Sequence, residues 1–93
     1  MKLITLKEKI NNFPIERTFE NLKDAWEVIN LQVEAAENLI GKNVKDFKVT
    51  SVSKSKIHTI KFKDKIRHDV SWTIYFEDRK EIQCFAAITI TKD

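Results

Sequence analysis

Nine of the seventeen Lys and Arg residues fall between Lys42 and His68, where only Asp46 and Asp64 oppose them. The segment before this band holds five basic and seven acidic side chains, and the segment after it three and five. A net charge of +3 therefore hides a cationic centre between acidic ends. Clustered cations attract and hold acidic partners in a way that total charge does not reveal. The chemistry on offer is neutralisation of phosphate or carboxylate, and aromatic rings among the cations would add stacking on bases. The candidate partner-binding residues are Lys42, Lys45, Lys61, Lys63, Lys65 and Arg67, with Tyr75 and Phe85 as apolar contacts.

Other reactive residue types give less. Cys84 is the lone cysteine, so it forms no internal disulfide, and its neighbours Ile82 and Ala86 place it at an inward strand position. A reactive thiolate wants an exposed cationic site instead. His58 shares parity with Ile60 and Phe62, at the margin of the core, while His68 belongs to a basic loop. Two His and one Cys without close spacing do not make a zinc site. Glu34 with Glu37, and Asp78 with Glu81, read as solvated surface rather than acid–base pairs. One glycine, Gly41, excludes the phosphate-cradling loops, which need several residues at positive φ. The expectation is no catalytic residue, no cofactor and no metal.

The elements that must position the cations follow from periodicity. Leu22, Ala25, Trp26, Ile29, Val33, Ala36, Leu39 and Ile40 form one apolar stripe, which predicts a helix from about Asn21 to Ile40. Asn21 caps it, Asp24 complements its dipole, and Gly41 sits where a left-handed terminal residue is wanted. The period then changes to two. Val70, Trp72, Ile74 and Phe76 alternate with Ser71, Thr73 and Tyr75. Ile82 to Ile90 alternate in the same way, so the two runs make a hairpin through Glu77–Lys80. Upstream, Phe47–Ser53 and Ile57–Lys63 read as a shorter hairpin turning at Ser53–Lys56, with a bulge or a sheet edge where Val52 breaks parity with Val49. Asp64–Asp69 is then a linking loop. In the first twenty residues Leu3–Leu6 reads as a strand, while Thr5 with Glu8 also fits a capping box opening a short helix. The preferred reading is one N-terminal strand, then an extended stretch from Ile15 to Phe19.

The expected fold is α+β, a single domain over 1–93. One long helix packs across a four- to five-stranded antiparallel sheet, in the order β-α-β-β-β-β. On this plan Lys42, Lys45, Lys65, Arg67 and Lys92 gather at one end of the sheet. Lys61 and Lys63 project from its uncovered face with Tyr75 and Phe85, opposite Ile60 and Phe62. Phe85, Ala87 and Tyr75 also form an apolar island there, a surface for a possible homodimer unless the N-terminal segment folds over it.

A helix wrapped by such a sheet resembles the cystatin arrangement. That family blocks papain-like proteases through a Gln-x-Val-x-Gly hairpin and an N-terminal glycine. Here the matching hairpin reads Val52-Ser53-Lys54-Ser55-Lys56, and no glycine precedes Gly41. The resemblance thus implies topology and no inhibitory activity.

No run of apolar residues approaches the roughly 18 needed to span a membrane, so a soluble cytoplasmic protein with no membrane partner is expected. The leading functional expectation is a non-enzymatic binding protein that contacts an acidic protein or nucleoprotein. A phage or mobile-element inhibitor of a host nuclease or defence complex is one instance. Direct binding of single-stranded nucleic acid on the open sheet face is an alternative, and an oligomeric nucleotide sponge is another.

Overall fold

A computed structural model describes residues 3–91 and shows two paired strands ahead of the helix, where one was expected. Strand β1 (Leu3–Ile10) turns at Asn11 and Asn12 into β2 (Phe13–Phe19). Both Asn residues have positive φ, 50° and 69°, the combination of a two-residue turn whose twist matches that of the strands. Asn tolerates this left-handed backbone better than most residues. Pro14 lies in β2, an edge strand where its missing N–H breaks no interior ladder.

Helix α1 (Leu22–Glu37) follows, capped as the sequence predicts. Asp24 N donates to Asn21 Oδ1 at 2.9 Å, and Asn21 Nδ2 donates back to Asp24 Oδ2 at 3.0 Å. Replacing Asn21 by Ala removes that cap and is expected to cost about 1 kcal/mol in urea unfolding. The helix ends three residues earlier than predicted, at Glu37; Asn38 and Leu39 form a turn behind it, and Ile40 bridges to Val49. Gly41 adopts φ 84°, and its N–H donates to Val49 O at 2.8 Å, tying the helix exit to the sheet.

The remaining strands are β3 (Asn43–Val44), β4 (Phe47–Lys54), β5 (His58–Lys61), β6 (Lys65–Phe76) and β7 (Glu81–Thr91). The sheet is antiparallel and seven-stranded, in the order β2-β1-β7-β6-β4-β3, with β5 also pairing β6. The hairpin through residues 77–80 and the bulge between Val49 and Ser51 are as expected. The element order is not: a hairpin precedes the helix, and the sheet is wider than the cystatin arrangement implies.

The predicted turn at Ser53–Lys56 is also corrected. Lys54 pairs Trp72 and His58 pairs Asp69, so β4 and β5 run end to end along one partner. Ser55 keeps the line intact: its N–H donates to Ser71 O at 2.8 Å, and its hydroxyl accepts from Ser71 N at 3.0 Å. The chain reverses later, where Phe62 N donates to Lys65 O at 2.8 Å. Residues 65–69, expected as a loop, are the first half of β6.

The core lies between α1 and one face of the sheet. Ile4 and Leu6 of β1, Cys84, Ala86 and Ile88 of β7, and Val70 and Trp72 of β6 meet Ala25, Ile29 and Val33 of the helix. One helix covers one face, which leaves the other open. Among the described residues no helix is long and apolar enough to cross a membrane.

A candidate cationic groove on the open sheet face

Register fixes which side chains share the open face. Strand β7 is flanked by β1 and β6, and directly paired residues project to the same side. Phe85 is level with Lys9 and Ser71, and Ala87 with Lys7 and Asp69. Thr89 is level with Thr5 and Arg67, and Thr91 with Leu3 and Lys65. Each row across β7 therefore carries one cation, in the order Lys9, Lys7, Arg67, Lys65. Rows on one face are two residues apart, a step of ~6.8 Å.

These rows enclose an open groove of about 690 Å³. Its floor is Ala87, Thr89 and Ser71; Lys7, Lys9 and Pro14 line one side, and Lys65, Arg67, Asp69, His58 and Ser55 the other. Phe85 stands in it half exposed. Small floor residues on β7 make the depression, and longer side chains on the flanking strands make its walls.

Two contacts hold the β6 cations in place. The Lys65 ammonium lies 5.1 Å and the Arg67 guanidinium 5.6 Å from the centre of the Phe62 ring, within cation–π range. Arg67 Nε also lies 3.0 Å from Asp69 Oδ1. That N–H is not aligned for a hydrogen bond, so the pair is an ion contact at a partly exposed site. Asp69, with Glu16 opposite Lys7, is the acidic counterweight on this face.

Three of the eight sequence-predicted residues, Lys65, Arg67 and Phe85, meet here. Tyr75 is on the same face but pairs Glu81, two rows beyond the Phe85–Ser71 pair and outside the groove. The expected apolar island is thus divided by Thr73 and Gln83. The N-terminal segment does not fold over it; β1 joins β7 edge to edge and widens the face. Lys63 is exposed in the turn after β5. Lys61 is corrected to the helix side, since it pairs Ile66, and Ile60 to the open side, since it pairs Arg67. The extra residue at the Ser55–Ile57 jog flips the parity assumed from sequence. Phe62, expected in the core, is 41% exposed beneath its two cations.

Lys42 and Lys45 are corrected to the far end. Lys42 follows the helix exit, and Lys45, at φ 48°, lies in the turn before Phe47, near Phe76. The twelve-residue β6 separates that end from Lys65 by roughly 40 Å. Lys92 lies outside the described residues. Lys7 and Lys9 were missed because they sit in the acidic N-terminal segment; only the β1–β7 pairing brings them to the band. A signal existed, since they have the parity opposite to Ile4, Leu6 and Ile10.

The groove contains Ser, His and Asp, the residue types of a hydrolytic triad, but their bonds run elsewhere. Ser55 donates to Lys56 O at 3.0 Å, and Asp69 is turned to Arg67. His58, expected at the core margin, is exposed opposite Asp69. His68 instead faces the helix, its ring centre 5.8 Å from that of Trp26 and its Nδ1 2.8 Å from the Thr59 hydroxyl. No group of three or more His, Cys, Asp or Glu with metal-holding geometry occurs among the described residues.

One titratable group is buried behind the groove wall. Glu8 lies between Lys7 and Lys9 in sequence but points to the opposite side and is 3% exposed. Burial pushes its carboxyl above the ordinary 4.5, against smaller downward pulls from the Gln32 hydrogen bond and the Arg17 charge. Burial and then the Glu8 charge push the Cys84 thiol up, away from the reactive thiolate.

No protein-family model matches this chain, and the searches of curated proteins and of solved structures found no match.

Proposed function

We propose that this protein is a non-enzymatic binding protein that holds an acidic partner on the open face of its sheet. The observation that carries the reading is the convergence of Lys7, Lys9, Lys65 and Arg67 on one groove from strands distant in sequence. Cations in a shared depression raise the local concentration of anions more than the same charges scattered over a surface. Ser71 and Thr89 on the floor supply uncharged hydroxyl donors beside them.

Retention on a sulfated polysaccharide resin tests this directly. The Lys9→Glu, Arg67→Glu double variant is expected to elute at clearly lower salt than the parent. The Lys42→Glu, Lys45→Glu variant, with the same change of net charge at the far end, is expected to elute close to it. Equal losses in the two variants would show that net charge, not the groove, governs binding.

A further inference from the structure

We infer that the groove's ligand is a single strand of nucleic acid lying along β7, with a base stacked on Phe85. This inference rests on the acidic-partner reading above and names the partner's class.

Spacing is the first support. Lys9, Lys7, Arg67 and Lys65 occupy consecutive rows ~6.8 Å apart along β7, spanning roughly 20 Å. The step from Lys7 to Arg67 also crosses two strand spacings, which makes it about 12 Å. A stretched sugar–phosphate chain repeats its charge at a step comparable to the ~6.8 Å row spacing. Successive phosphates can therefore meet Lys9 and Lys7 on one wall and Arg67 and Lys65 on the other, with the longer crossing bridged between them. The ladder crosses β7 between Lys7 and Arg67, so the strand would run obliquely from the β1 wall to the β6 wall.

The aromatic is the second support. Phe85 is 50% exposed at the Lys9 end of the ladder, where no neighbouring helix covers it. An aromatic beside a cationic track accepts any base, because every base presents a π-face. Phe62, by contrast, already lies under Lys65 and Arg67 and orients them.

An acidic polypeptide fits less well. Laid extended across the side chains of a sheet face, it finds no strand edge, so its own N–H and C=O groups lose water without gaining ladder partners. A sugar–phosphate backbone presents its charged oxygens to the cations and carries no N–H group to leave unpaired. The open groove, at about 690 Å³, has room for part of one strand.

Fluorescence anisotropy of the full chain with a labelled twelve-nucleotide oligothymidylate, titrated across salt, is the test. Four phosphate contacts predict a log–log slope of about −3 for a single strand. Phe85→Ala is expected to weaken binding about fivefold to a hundredfold at unchanged slope. Lys9→Glu with Arg67→Glu is expected to weaken it more than tenfold and flatten the slope, with unchanged circular dichroism. A polyglutamate peptide of equal charge is expected to compete poorly.

Failure of oligothymidylate alongside tight polyglutamate binding lost in the double variant would overturn this inference and leave the acidic-partner reading standing. Binding of neither probe would overturn both. Oligothymidylate binding indifferent to Phe85 and to the double variant would place any nucleic-acid contact elsewhere and overturn the inference too.

Discussion

Replacing Ile88 by Ala is expected to lower the unfolding free energy by about 2–5 kcal/mol. Ile88 is fully buried in the central strand β7, level with Leu6 on β1 and His68 on β6. It belongs to the cluster in which both flanking strands and the helix meet. Truncation loses the apolar transfer free energy of three carbons and leaves a cavity among neighbours fixed by sheet hydrogen bonds. In a domain of this size each kcal/mol shifts the melting temperature by roughly 4–8 °C. Leu31→Ala is the control, since Leu31 lies on the wet side of the helix at 58% exposure. Its change should stay within about ±0.5 kcal/mol. Comparable losses in the two variants, read by thermal or urea unfolding, would mean that the helix packs on some other face. Ile88 also lies directly behind the groove floor, between Ala87 and Thr89, so its loss should affect binding only through unfolding.

The helix and the β6–β7 hairpin were legible because their signals are local. Asn21 with Asp24 marks a helix start, and the alternation through Val70–Phe76 and Ile82–Ile90 marks two half-buried strands whatever surrounds them. The β1–β2 hairpin was not, and Glu8 is the reason. Ile4, Leu6 and Ile10 are apolar at alternate positions, but a carboxylate occupies the slot between them and masks the period. The Asn11–Asn12 turn was the remaining signal, and it specifies a two-residue reversal on its own.

Turn placement and register put five of the eight predicted residues outside the groove. Ser53–Lys56 is polar enough to be a turn, yet Ser55 bonds to Ser71 and the strand runs on. The reversal falls at Phe62–Lys65, although the parity Phe62 shares with Ile60 reads as inward. Once that turn moves, Lys42 and Lys45 go to one end of the sheet while Lys65 and Arg67 go to the other. Lys7 and Lys9 illustrate a more general point. A charge count along the chain averages them with Glu8, Glu16 and Glu20, whereas the sheet selects by parity and discards Glu8 to the far side.

That same Glu8 yields the second large effect: Glu8→Gln is expected to stabilise the protein at neutral pH and to remove part of its pH dependence. Gln32 Nε2 donates to Glu8 Oε1 at 3.3 Å, while Glu8 Oε2 and Gln32 Oε1 are both buried without a partner. A proton on Glu8 would satisfy both of these acceptors at once. With Glu8 protonated, its O–H can donate to Gln32 Oε1, and the acid–amide pair closes with both oxygens satisfied. The titratable groups that act on it are few: Arg17 from β2 favours the carboxylate, and Cys84 from β7 is a neutral thiol. Burial outweighs Arg17 and raises the carboxyl above its ordinary 4.5. The folded state therefore holds this proton more tightly than the unfolded chain does. Its contribution to stability is complete below about pH 4.5 and is lost as pH rises through the raised folded value. A Gln at position 8 presents an amide N–H to Gln32 Oε1 at every pH. Relative to the parent, Glu8→Gln should gain about 1–3 kcal/mol at pH 7, the usual cost of an unsatisfied buried polar group. Near pH 4 the two proteins should be close to equal. Urea unfolding of both across this range isolates Glu8, because every other carboxylate is common to the pair. A difference that does not grow with pH would mean that Glu8 is ionised in the fold and that Gln32 suffices to hold its charge.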